Sequence, residues 1–341
     1  MMMIHAFMSA HKLLKHSDLS SHAYFLHFYF SAGASESDDR SFTPKGVLPW
    51  TGFIVWPLML TVPLMLTSPY SPTSYKSLFP QSWYDYDPSS GETPKPLGLC
   101  LGILAVFVGQ VFVWGVFYLH KYGHLSFGQE PTSIQTKGAR GYEWMEGIMT
   151  HISQPEGFVL LIGYLSGTWM FKLMPDSYYS FDGGIEWGKV AACLALQDSI
   201  QYIMHRLEHD IHPKFYQISH KPHHKFTNPR LFDAFNGSIT DTICMIQIPL
   251  YIVANLVHCN VWSYMAFGSM YANWLTLIHS EYVFPWDNLF HLVGFGTPAD
   301  HHVHHAFFKF NFGHLFMWSD MIAGTYKHPQ QFAPKYFNRN V

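Results

Sequence analysis

The sequence predicts an all-α fold: a multi-span transmembrane helical bundle of about four to six spans in hairpins, topped by a cytosolic helical cap that carries a histidine-rich dimetal site. Three observations predict it. Only 13% of the 341 residues are charged, against roughly 25% in soluble proteins. Several uncharged apolar runs approach the ~20 residues needed to cross a bilayer. Lastly, 13 of the 23 histidines fall between His205 and His305.

The spans follow in order. Val47 to Ser68 is uncharged but holds Pro57 and Pro63, which a bilayer helix tolerates when its neighbours satisfy the freed carbonyls. Leu97 to Leu119 runs 23 positions without a charge. Gly157 to Met174 holds Lys172 near its end, where the ammonium can snorkel to the interface. Val190 to Met204, Ile239 to Val257 and Val261 to Ile278 complete the set. Segments 1–46, 120–154, 205–238 and 280–341 then share one face and hold 16 of the 20 Lys and Arg, so the positive-inside rule makes that face cytosolic, with both termini on it. The 18% aromatic content suits a chain with side chains at the membrane interface.

Composition also excludes functions. With 20 basic against 23 acidic residues, the chain has no net positive field with which to release phosphate counterions, so no nucleic-acid partner is expected. Cys100, Cys193, Cys244 and Cys259 lie in or beside apolar stretches without Cys-x-x-Cys spacing, which predicts neither a disulfide framework nor a thiolate metal site. No Gly-x-Gly-x-x-Gly fingerprint occurs, so no dinucleotide-binding unit is expected. Residues 1–46 read as a mobile tail without signal-peptide character, 47–154 as a transmembrane hairpin and connector, 155–329 as the histidine-rich domain that the resemblance given below makes catalytic, and 330–341 as a second tail.

The histidines form three clusters: His205-Arg-Leu-Glu-His209, His220-Lys-Pro-His223-His224 and His301-His302-Val-His304-His305, with His279 between the second and third. An i, i+4 pair presents both imidazoles on one helical face. Neighbours such as His304 and His305 point about 100° apart and can serve two different ions. Pro222 places His220 at a helix start. The expected ligands are His205, His209, His220, His223, His224, His279, His301, His304 and His305, nine in all. Neutral imidazoles around two cations call for nearby carboxylates to orient the rings and balance charge. Asp198, two turns before His205, is the first choice, followed by Glu281, Glu208, Asp241 and Asp300.

The clusters HRLEH, HKPHH and DHHVHH resemble those of the fatty acid hydroxylase and sterol desaturase superfamily, and the ending Gly324 to Pro329 is similar to the tail of sterol C-5 desaturases. His279-Ser-Glu-Tyr replaces the His-Asp-Gly or His-Ser-Gly of those sterol enzymes and sets Glu281 beside a ligand. The resemblance implies a multi-pass endoplasmic-reticulum enzyme with two non-haem iron ions and dioxygen as co-substrate. It would take electrons from cytochrome b5 and its NAD(P)H reductase to hydroxylate or desaturate a sterol or triterpenoid. The alternatives are a squalene epoxidase-like enzyme, a fatty acyl or alkane hydroxylase, and, from another class, a histidine-rich metal transporter. Arg206, Lys214, Lys221, Lys225 and Arg230 would face an acidic electron carrier.

Overall fold

The computed structural model describes residues 75–122, 131–139, 144–153, 157, 159–333 and 335. The span expected at Val47 to Ser68, the N-terminal tail and the last residues of the C-terminal tail lie outside the described residues. What is described is helical, and its β pairing is confined to two isolated bridges, Ser133 with Tyr282 and Phe295 with Phe316.

Helix α1, Leu97–Lys121, covers the uncharged run and, at about 1.5 Å per residue, is long enough to cross a bilayer. The short α2, Trp144–Ser153, follows. Helix α3, Leu160–Met170, is shorter than the span expected there. It stops because Lys172 takes a left-handed conformation (φ 51°) that a helix cannot continue through. Helix α4, Trp187–Asp210, is longer than expected and carries its polar residues inward, with Gln197, Asp198 and Gln201 buried. The short α5, Pro213–Ile218, leads on to the cap.

Helix α6, Ile239–Leu256, starts at Ser238, whose hydroxyl accepts the Asp241 N–H at 3.1 Å. Its stretch Ile243–Gln247 is π-helical. Pro249 offers no N–H and crowds the preceding turn, so a wider turn ahead of it lets the helix continue. Helix α7, Val261–Leu277, is capped by Asn260 and buried on nearly every side. Helices α1 and α4 pack against it, and α6 packs on α4. Gly109 permits the closest approach of α1 to α7, since a Cβ there would lie 2.5 Å from the Asn273 amide oxygen.

Among the described helices, α1 and α6 are long and apolar enough to cross a membrane. Helices α3 and α7 fall short in length, and α4 in apolarity because of its buried polar residues. Three further short helices, α8 (Asp287–Val293), α9 (Pro298–Phe307) and α10 (Trp318–Ala323), complete the cap.

Candidate metal centre

Helix α4 outlasts its apolar stretch by two turns, and His205 and His209 project from one face of that extension. After α5 the chain turns at His220. The sequence placed His220 at a helix start; it stands instead ahead of Pro222, because the proline, lacking an N–H, itself opens the single 3₁₀ turn His223–Lys225. His279 follows the end of α7. Helix α9 is nucleated by a reciprocal cap: the Thr297 hydroxyl accepts the Asp300 N–H at 3.3 Å, and Asp300 Oδ2 accepts the Thr297 N–H at 2.9 Å. Pro298 at the first helical position adds a fixed φ. His301, His304 and His305 of α9 are all buried.

The nine rings gather into two groups. His205, His209, His220, His224 and His304 present nitrogens within 4.8 Å of one another, and His223, His279, His301 and His305 do the same. The adjacent pairs divide: His223 and His305 go to the second group, His224 and His304 to the first. His302 turns away, with Nε2 3.1 Å from the Ser280 carbonyl.

In six of the nine rings the outer nitrogen reveals the tautomer, whereas Nδ1 of His224 and of His301 is buried without a hydrogen-bond partner. His205 Nδ1 donates to the Phe312 carbonyl at 2.7 Å, His304 Nδ1 to Phe310 at 2.8 Å, His305 Nδ1 to Phe226 at 2.9 Å and His279 Nδ1 to Leu275 at 2.7 Å. His223 Nδ1 donates to the Asn236 carbonyl at 3.3 Å, and His220 Nδ1 to Asp241 Oδ1 at 2.7 Å. A neutral imidazole has one N–H, so in these six the Nε2 atom is a bare lone pair. Yet His205 Nε2 and His220 Nε2 stand 2.8 Å apart, and His279 Nε2 and His223 Nε2 3.3 Å apart. Facing lone pairs repel unless a cation lies between them.

Protons are poor occupants. Burial pushes His220 and His209 down to about 3 and His223 to about 4, and holds His301, His304 and His305 well below the ordinary histidine range. The spacing suits a metal, because two nitrogens at right angles, each ~2.1 Å from one ion, lie roughly 3.0 Å apart. Neutral, buried imidazoles with carbonyl partners on the far nitrogen are the donor set that first-row transition ions take. The residues fit a pair of such ions.

Of the carboxylates, Asp241 touches a ring. Glu208 lies 3.7 Å from His220 Nδ1, and burial beside Asp241 raises its carboxyl to about 10. Asp300 caps α9 and accepts from His291 Nε2 at 2.8 Å. Neither Asp198 nor Glu281 is hydrogen-bonded to any of the nine rings. Glu281 Oε2 accepts the Leu231 N–H at 3.0 Å. Asp198 accepts the N–H groups of His314, Leu315 and Phe316. The sequence offered no sign of the carbonyls of Phe226, Leu275, Phe310 and Phe312, and it passed over His314, a lone histidine nine residues beyond His305.

An apolar cavity opens between α1, α3, α6 and α7, lined by residues such as Gly102, Leu161, Ile246, Leu250 and Met265. Two more lining residues tie it to the centre. Leu275 supplies the carbonyl that holds His279, and Thr242 follows Asp241.

A family model described as fatty acid hydroxylase matches residues 190–325. An "alternative squalene epoxidase" of Phaeodactylum tricornutum is 64% identical over 298 residues, which is 87% of this chain and 85% of that protein. A Delta(7)-sterol 5(6)-desaturase of Gibberella zeae is 31% identical over 128 residues, 38% of each chain. Methylsterol monooxygenase 1 of Danio rerio is 28% identical over 177 residues, 49% of this chain and 58% of that one. No solved structure matches significantly.

Proposed function

Because the chain belongs to the fatty acid hydroxylase family, we propose that it is a membrane-bound di-iron oxygenase that epoxidises squalene or a hydrocarbon of that class. The relatives are all named as oxidoreductases. The observation that carries the reading is the pairing of the two nitrogen groups with an adjoining apolar cavity, in a chain 64% identical to a named squalene epoxidase.

In this reading His205, His209, His220, His224 and His304 hold one iron, and His223, His279, His301 and His305 hold the other. The bound pair would supply reductive use of dioxygen, which inert lipid carbons demand: alkene, O2, two electrons and two protons give epoxide and water. The protein does the rest. Asp241 and the carbonyls of Phe226, Asn236, Leu275, Phe310 and Phe312 fix six of the nine rings so that their lone pairs point inward. Asp198 and Glu281 are positioning residues that hold backbone. Burial of the rings keeps bulk water from the reacting atoms, and the cavity presents a hydrocarbon to them.

Electrons would come from cytochrome b5 and its NAD(P)H reductase at the endoplasmic-reticulum membrane, with the cap on the cytosolic side. Arg206 and Arg230 are engaged by Asp210 and Asp233, whereas Lys214, Lys221 and Lys225 are exposed and favour an acidic carrier. The sterol desaturase and methylsterol monooxygenase relatives favour a second reading, oxidation of a sterol by the same centre. Metal transport fits less well, since the donors form two closed groups rather than a path across a membrane.

Purified protein should contain two irons per chain and, with a reductase and 18O2, convert squalene to an epoxide carrying one labelled atom. Oxidation of a Δ7-sterol or methylsterol with squalene untouched would establish the second reading. Absence of bound iron would overturn both.

A further inference from the structure

The segment 312–316 is held unusually tightly. Asp320 accepts the N–H groups of Phe312 at 3.0 Å and Gly313 at 2.6 Å. Asp198 accepts those of His314 at 3.2 Å, Leu315 at 2.7 Å and Phe316 at 3.2 Å. Two buried carboxylates thus take five consecutive amides, and the Trp274 indole N–H donates to the His314 carbonyl at 2.9 Å. A Cβ on Gly296 would come within 2.5 Å of that same carbonyl.

The histidine in the middle of this brace has a ring without work. His314 is 5% exposed, and its Nδ1 is buried with no hydrogen-bond partner. The ring lies 5.3 Å, centroid to centroid, from His205 of the first group and 5.0 Å from His301 of the second. Its nitrogens belong to neither close set. A buried polar atom without a partner costs about 1–3 kcal/mol and calls for a ligand that is not protein.

We infer that His314 is a binding residue for a small anion or dioxygen that would enter the dimetal centre, hydrogen-bonding it rather than coordinating an ion. The inference rests on the two-metal reading of the site. The brace fixes the ring where it faces one member of each group, so the hydrogen bond would be preorganised rather than gained by movement. A lone imidazole N–H can steer a small anion or dioxygen toward the two nitrogen groups, and its loss would leave both groups able to hold their ions.

The test uses the whole chain loaded with iron, with azide as the probe for the small ligand. Metal per chain, azide dissociation constant and the bound azide stretching frequency are compared for wild type, His314→Leu and His314→Gln. Expected are two metals in each, azide about tenfold weaker in H314L, equivalent to one hydrogen bond of ~1.4 kcal/mol, and an intermediate loss with a shifted stretch in H314Q. If H314L fails to load, H314Q decides alone. Two metals with unchanged azide affinity and frequency, or a fall in metal count in H314Q, would overturn the inference. A wild type that does not hold two metals would instead refute the site reading itself.

Discussion

Asp198 Oδ1 accepts the Leu315 backbone N–H at 2.7 Å, joining α4 to a segment 117 residues later in the chain. The same segment carries the Phe312 carbonyl that receives His205 Nδ1–H. Asp198 therefore governs the His205 ring through backbone rather than by touching it. Asp198→Asn keeps the shape but turns an amide toward N–H donors. It should cost roughly 2–3 kcal/mol, lowering the melting midpoint by about 5–10 °C for a domain of this size. Calorimetry on the metal-loaded protein checks this, and an unchanged midpoint would contradict it.

The two nitrogen groups should empty separately. His209→Ala leaves four nitrogens in the first group and His223→Ala three in the second, so each variant should weaken its own ion against a chelator and leave the other ion's affinity unchanged. Loss of both metals from either single variant would show that the groups fill as one unit.

Asp241 is the carboxylate that touches a ring of the centre. Asp241→Asn should weaken metal binding about 10–100-fold, as removal of such an outer partner usually does, with little change in helix content. Competition against a graded series of chelators measures it.

How much of this was legible in the sequence depends on what each feature requires. Helix α1 was plain because an uncharged run of that length has few other uses. The gathering of the nine histidines was legible because local spacing puts paired rings on one face. The supports were not. Proximity in sequence suggested that Asp198 would address His205, but the i+7 step spends its carboxylate on a loop contributed from far downstream. The carbonyls of Phe226, Leu275, Phe310 and Phe312 could not be read at all, since every residue has a carbonyl and tertiary placement alone selects these. Helix α7 reads as one more membrane span, whereas the structure wraps it in protein: buried apolar helices look alike in sequence whether lipid or neighbours surround them.

Glu281 supplies a pH dependence of defined sign. Burial raises its carboxyl from 4.5 to about 7. The folded state thus binds a proton that the unfolded chain has released between those values. Its contribution is fully present below pH 4.5 and is lost as pH rises through about 7. Glu281→Gln should therefore flatten the loss of stability between pH 5 and 8, and the variant should be the more stable protein at pH 8. Denaturant titrations at several pH values would show it; parallel curves would refute it.

Gly268 lines the cavity, and nothing stands within 4 Å of a Cβ placed there. Gly268→Phe should fill the cavity and abolish lipid oxidation while the metal content stays at two. Assay of product and metal on the same sample tests this, and full activity would place the substrate elsewhere.

The donors come from widely separated stretches, and α9, close to the end of the described chain, contributes to both groups. Before α9 docks, the second group has only His223 and His279, too few to retain an ion. Completion of the second group therefore waits on the docking of α9. A chain in which α9 is undocked keeps two of the four nitrogens of that group and cannot close a second metal site.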